Sequence, residues 1–434
     1  MENIFKVYKN GICLLKSKFI FLICILIIFR IGSFIPVPGI NIINDFFLKN
    51  NNNNIFEMLN IFSGGSLSHI SIFSLGLIPY VSASIIIQII NFIYPNLIKI
   101  DKYSLNYENK INQVIRYVAF FFSIIQSIII FINFNKIYGF NNLIFDKNVF
   151  FYLIILISLI TGSMILMWLG EEISEKGICN GISIIICFGI LVGLPSSINF
   201  VLLNKYFYNF VFFKIFLFLI LLFLIIYFII FIECSQRRIF INYKNNLSKC
   251  KFYINQNIYL PIKINISGIT PAIFSSSIVL FITNLLLFLI EKFNKFFIIK
   301  KIIFNLQPGK ILYLILYINF IMFFSFVSIP VFFDSNKTAN NLKKSGGFIY
   351  GIRPGIKTSN YISNIVLRLN NLGTLYIIFI CLIPEIFNKI IKIPFYLSST
   401  SILIVTLVIM DFISQIQILL MSSQYNSVFK KNKL

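Results

Sequence analysis

The chain holds one histidine, His69, so a two-histidine metal site lacks its parts and a Ser-His relay has little room. His69 opens the second apolar run, where an interfacial role suits it. Seven cysteines occur without a C-x-x-C pair, which indicates neither a disulfide framework nor a zinc site. Cys24, Cys187 and Cys381 lie in apolar runs, whereas Cys13, Cys179, Cys234 and Cys250 lie between them. No Walker A loop and no dinucleotide fingerprint is present, so the energy for any uphill movement must come from elsewhere. Charges inside apolar runs are functional by default, and only Arg30, Lys214, Glu385 and Asp411 qualify. Arg30 and Asp411 fall at similar depths, which permits a structural ion pair. A proton relay needs more such groups, and an intramembrane protease needs a dyad or paired aspartates. The expectation is a protein that is no enzyme and uses no cofactor and no metal.

The elements that carry these residues are membrane spans. Of 434 residues, 58% are hydrophobic and only 12% charged, about half the charge of a soluble domain. The mean hydropathy is +0.89. Apolar runs near 20 residues recur along the chain, each long enough to cross the hydrocarbon as a helix. Ten spans are expected, at 19–35, 69–94, 115–133, 149–169, 181–202, 207–232, 266–290, 311–331, 365–387 and 398–420. The first is too long for a cleaved leader and lacks a small-residue cleavage site. Lys and Arg concentrate in the termini and in the loops after spans two, four, six and eight, which places both termini in the cytoplasm. Trp168 then falls at a cytoplasmic helix end, as an interfacial aromatic should. The net charge of +23 follows mainly from this topology and from an AT-rich codon bias, to which Asn50–Asn54 also belongs.

Two cytoplasmic loops, 233–265 and 334–364, are too long to be mere connectors and suggest a docking surface. The first alternates through Ile239-Phe240-Ile241-Asn242-Tyr243, a strand pattern and half of a hairpin. The second contains Arg353-Pro354-Gly355, where Pro then Gly suits the centre of a type II turn with Arg353 at its first corner. Gly189-x-x-x-Gly193 permits close helix packing. The stretch from Ser71 to Ile90 joins span length to four serines and Pro79, a helix breaker. Leu77 and Val81 share one face of it. It suits either a movable wall or ordinary packing of a kinked helix.

Longer motifs point further. RIGSFIPVPG (30–39), FSGGSLSHISIFSLGLIPYVSASIIIQ (62–88), MWLGEEISEKGICNGISIII (167–186) and ISGITPAIFSSS (266–277) occur in order. TANNLKKSGGFIYGIRPG (338–355), FICLIPE (379–385) and MSSQY (421–425) follow. Together they closely resemble the SecY family, the channel-forming subunits of bacterial protein translocases, over essentially the whole chain. The resemblance implies an all-α polytopic membrane protein of ten transmembrane helices. It implies two pseudo-symmetric five-helix halves, 1–202 and 203–434, around a central pore. Unfolded secretory polypeptides would cross through the centre, and membrane segments would leave sideways. Leu77, Val81, Ile182, Ile186, Ile273 and Ile404 would form the pore ring. Aliphatic side chains bind no ions and make a dewetting seal, and they present no specific hydrogen bonds to a passing chain.

Residues 55–65, with Ile55, Phe62, Ser63, Gly64 and Gly65, correspond to the plug, in which the paired glycines suit a hinge. Ser82, Gln126 and Ser276 are expected at the lateral gate. Arg353, Arg237, Arg238, Lys343 and Lys344 would dock partners, since arginine suits carboxylates and phosphates. The implied partners are the small SecE and SecG subunits, the SecA motor ATPase, the ribosome, signal peptides with their nascent polypeptides, and the lipid bilayer of a bacterial inner membrane. Some positions depart from the family pattern. Leu77 and Val81 stand where isoleucine is favoured, and Asp334-Ser335-Asn336-Lys337 replaces an Asn-Pro-Arg-Glu-like turn. Asn340 replaces an Asp. A secondary transporter for a small solute is the rival reading; it needs a polar midplane pocket, for which the chain offers few groups.

Overall fold

In the computed structural model, residues 2–38, 60, 63–93, 105–136, 149–203, 211–243, 258–292, 305–306, 310–391 and 399–431 are described. Among them, ten long helices follow the ten expected spans. They are α1 (Glu2–Gly32), α2 (Ile78–Ile93), α3 (Leu105–Lys136), α4 (Val149–Lys176), α5 (Gly181–Leu203) and α6 (Val211–Glu233). Then come α7 (Thr270–Lys292), α8 (Ile311–Phe332), α10 (Ile356–Ile391) and α11 (Ser399–Lys431), with a short α9 (Ser335–Lys344) between α8 and α10. Stretches within α3, α4, α8, α10 and α11 are long and apolar enough to cross a membrane. Apolar stretches within α2, α5, α6 and α7 are shorter. Several helices outrun their expected spans; α1 begins at Glu2, α4 runs to Lys176 and α11 to Lys431. Hydropathy marks the part that sits in hydrocarbon, whereas a helix satisfies its own backbone and can continue into water. Trp168, exposed, therefore lies two turns before the end of α4 rather than at it.

The second span departs most from expectation. Helix α2 starts only at Ile78, and residues 63–77 form tight turns instead. Pro79 does not kink a helix; it occupies the first turn, where its missing N–H costs nothing. The serines explain the rest. Ser66 donates to the carbonyls of Ser63 (2.7 Å) and Phe73 (2.8 Å), and Ser71 donates to that of Ser66 (3.1 Å). Hydroxyls thus take over backbone partners that a helix would have supplied. The segment is pinned to the chain after α1 by Val37 N to Ile70 O (3.0 Å) and Ile72 N to Ile35 O (3.1 Å). Irregular backbone in a membrane protein is tolerated where it is buried in protein, and Ser63, Ser66, Ser71 and Ser74 are all buried.

Between spans, hydrocarbon offers no hydrophobic drive, so close packing and small residues decide association. Gly162 on α4 illustrates this, since a Cβ there would overlap the Ile72 carbonyl. The expected glycine pair behaves differently. Gly189 meets Gly64, whose Cβ would come 3.1 Å from its Cα, whereas a Cβ on Gly193 would touch nothing within 4 Å. The interior is mainly one apolar cluster that draws on most of the long helices, with a smaller one between α2, α3 and α4. Large apolar side chains such as Phe223, Ile315 and Leu375 face outward, as a lipid-facing surface requires.

Four short strands join the two long loops. Strand β1 (Gln236–Phe240) pairs antiparallel with β3 (Tyr259–Lys263), with Arg238 opposite Pro261. Strand β2 (Asn242–Tyr243) pairs with β4 (Gly347–Phe348) of the other loop. Behind them Ile239, Ile241, Ile262, Leu342, Ile349, Ile362 and Val366 form a separate small core. The two loops are therefore one folded module, anchored on α10.

Candidate functional site

Five of the six residues expected at the ring come from four helices, and the sixth, Leu77, stands just before one of them. Leu77 precedes α2 and Val81 lies in its first turn, joined by Val81 N to Leu77 O at 3.0 Å. Ile182 and Ile186 sit one turn apart at the start of α5, Ile273 in the first turn of α7 and Ile404 in the second turn of α11. Helix α11 packs on α5 and α7, and α7 packs on α2. Leu77, Val81, Ile186, Ile273 and Ile404 are buried in the main aliphatic cluster; Ile182 is half-buried against it. The cluster spans many helices, so membership brings the six into one apolar interior without by itself defining a circle.

Ile182 also lines a cavity of about 780 Å³ with Lys18, Tyr80, Arg116, Glu171, Glu175 and Gln415 among its walls. Its lining is mixed, with charged side chains beside Ile178, Ile418 and Leu419, where the interior is apolar. Its walls include a pair that spacing did not reveal, because its partners lie on different helices. Arg116 on α3 grips Glu171 on α4 with both ends of its fork, Nε to Oε1 at 3.0 Å and a second contact to Oε2 at 2.8 Å. The turn between α4 and α5 is tied to α11, since Cys179 N donates to Gln415 Oε1 at 2.6 Å. Burial, with the charge of Asp411 added, pushes the Cys179 thiol up to about 11, so it stays protonated and unreactive at neutral pH.

Ser82 on α2, Gln126 on α3 and Ser276 on α7 are all buried. Helices α2 and α3 both pack on α7, and Phe122 of α3 meets Phe281 of α7 edge to face at 5.6 Å between ring centres. Ser82 and Ser276 each donate to a carbonyl three residues back, Pro79 and Ile273, both at 2.9 Å, so neither crosses to the neighbouring helix. Of the expected plug, Ser63, Gly64 and Gly65 are described; Ile55 and Phe62 lie outside the described residues. Gly64 and Gly65 have φ of 69° and 81°, which suits a turn that only glycine enters readily.

The expected docking residues share the loop module, and all are exposed. Arg237 and Arg238 lie on β1, with the Arg238 guanidinium 4.9 Å from the centre of the Tyr259 ring. Lys343 and Lys344 end α9. Arg353 precedes a turn in which Gly355 has φ of 115°, and its carbonyl accepts from Thr358 Oγ1 at 2.9 Å. Arg30 does not pair with Asp411; its guanidinium stacks over Phe34 at 4.3 Å. His69 lies exposed beside the same ring, 5.3 Å between centres. Lys214 and Glu385 lie in α6 and α10, at positions whose side chains are not described.

The sequence model of the SecY family matches residues 71–413. The protein translocase subunit SecY of Buchnera aphidicola subsp. Acyrthosiphon pisum is 49% identical over 431 residues, covering 99% of this chain and 98% of that one. The chain belongs to the SecY family. The SecY of Escherichia coli K12 is 44% identical, with 99% of this chain and 97% of that protein covered. Among solved structures, one described as a protein-conducting channel aligns with a TM-score of 0.68 over 93% of this chain and 92% of the other. Sec61 in a canine ribosome–channel complex aligns at 0.64 over the same shares. Both are 16% identical and speak to the fold.

SecY membership decides the function class. The chain is a multi-pass membrane protein and a protein-conducting channel of the Sec translocase, not an enzyme. The solute-transporter reading falls with it. A network that no motif announced lies beside this SecY interior: Asn265, before α7, donates to Glu233 Oε1 at 2.6 Å.

Proposed function

We propose that this SecY chain seals its pore with Leu77, Val81, Ile182, Ile186, Ile273 and Ile404, and that polypeptides thread between them. The supporting observation is that all six belong to one apolar interior, next to a cavity of mixed lining that reaches Ile182. No side chain in the set offers a directional bond, so the seal closes on water and yields to any sequence. Residues 55–65 act as the plug that rests against this seal. Helices α2 and α3 part from α7 to release membrane segments into lipid, with Ser82, Gln126 and Ser276 along the opening. The halves 1–202 and 203–434 move against each other in this step.

The loop module faces the cytoplasm of a bacterium, as do both termini, in the inner membrane. Arg353, Arg237, Arg238, Lys343 and Lys344 dock the SecA motor or the ribosome, and SecE and SecG complete the complex. Charge supports this, because five basic side chains project from one folded unit held by its own small core. The test is export into vesicles that contain this chain, SecE, SecG and SecA. A secretory precursor becomes protected from protease in an ATP-dependent way. Precursor that stays outside under these conditions overturns the reading.

A further inference from the structure

Helix α7 carries Ile273 and Ser276, yet little in its own apolar surface fixes where it starts. The fixed point is Asn265, which is 3% exposed. Its Nδ2 donates to Glu233 Oε1 at 2.6 Å and to the Gly268 carbonyl at 3.3 Å. Its Oδ1 accepts from Gly268 N at 3.1 Å and from Ser267 Oγ at 3.3 Å. Every polar group of the amide is used. Glu233 is the last residue of α6, and the backbone beside Asn265 presses on α10, where a Cβ on Gly373 would come 3.1 Å from the Ile264 carbonyl. Asn265 therefore rivets the entry to α7 onto α6 and α10. Next to the rivet stands Gly268 with φ of 60°, two residues before Thr270, the first residue of α7. A tight anchor bonded to a glycine in the left-handed region, just ahead of a helix, is the geometry of a pivot.

We propose that Glu233 and Asn265 are positioning residues for gating: their hydrogen bond holds the foot of α7, and so sets how readily α7 swings from α2 and α3. This rests on the reading of α7 as a gate helix. Both groups lie outside the aliphatic interior that contacts a threading chain, so their effect passes through α7. Loss of the bond frees the foot and favours the open state.

The experiment uses the whole complex in vesicles, with resting ion flux and export of a precursor whose signal sequence is disabled by a charge. Asn265→Asp sets two carboxylates against each other and Asn265→Ala removes the donor. Each is expected to raise both readouts by about tenfold, the factor that one charge-assisted hydrogen bond supports. The exchange Glu233→Gln with Asn265→Asp restores an amide-to-carboxylate bond in the reverse sense, though not the donation to the Gly268 carbonyl, and is expected to bring both readouts most of the way back. Thermal melting of the purified complex separates a shifted gate from a damaged fold. Single variants with unchanged flux and unchanged discrimination overturn the proposal, as does an exchange that fails to rescue. A parallel Ile182→Ser/Ile186→Ser channel keeps the two readings apart. If it leaks while the Asn265 variants do not, the pivot alone fails; if it stays tight, the seal itself was misassigned.

Discussion

The aliphatic interior and the basic loop module tolerate change in opposite ways. In the interior, Leu77 and Val81 stand beside Ile186, Ile273 and Ile404 in one apolar cluster, and all five are buried. Nothing there depends on a bond direction, so one branched hydrocarbon replaces another at small cost. The module is built from bonds with direction. At its first turn, Asp334 caps α9 by accepting from Asn336 N at 3.0 Å and Lys337 N at 3.2 Å. A carboxylate at that one position meets the demand of a helix start. On the proposed reading, the surface that must ignore sequence is made of shape alone, and the surface that recognises partners is made of held charges.

The contrast breaks most clearly in the interior. Ile182→Ser together with Ile186→Ser puts hydroxyls into the proposed seal. Two isoleucines contribute ~3 kcal/mol or more to such a seal, which corresponds to roughly a hundredfold rise in resting ion flux. Flux equal to the parent channel removes both residues from the seal. Ile182→Val with Ile186→Leu is the complementary variant and leaves flux near the parent value.

In the module the same logic demands that charge, not size, decides. Arg353→Glu keeps a long polar side chain and reverses its sign. SecA-driven export is expected to fall by more than about tenfold, because a like charge set against a docking partner costs more than one lost contact. Membrane insertion of the chain itself stays normal, since Arg353 is exposed and only its backbone is engaged locally. Export at the parent rate would take Arg353 out of the docking set.

Hydropathy made the ten spans legible, because a helix in lipid needs little beyond an apolar run of sufficient length. It failed where polar side chains rewrote the backbone. Residues 69–77 read as span, yet Ser66 and Ser71 supply bonds that turn the chain instead. Pro79 was visible as a breaker, but its place in the first turn depends on where those serines stop. The strand at Ile239 was legible from alternation; its partner at Leu260 was not, because pairing is a tertiary choice. Arg30 and Asp411 matched in depth, but depth says nothing of rotation about the bundle, and Arg30 found Phe34 instead. Arg116–Glu171 and Glu233–Asn265 join residues 55 and 32 apart in sequence, and no spacing rule reaches that far.

The smallest effect tests how the charges are held rather than what they touch. Asp334→Ala deletes the cap of α9 and is expected to cost about 1 kcal/mol of local stability. Amide exchange at Asn336 and Lys337 should then quicken by roughly fivefold, while the interior, which shares no core with α9, exchanges as before. Asn accepts the same bonds without charge, so Asp334→Asn should leave exchange near the parent rate. If Asp334→Asn loosens α9 as much as Asp334→Ala does, the carboxylate charge is what matters there. The module would then be held by long-range electrostatics rather than by directed bonds, and the contrast with the interior would be one of charge alone.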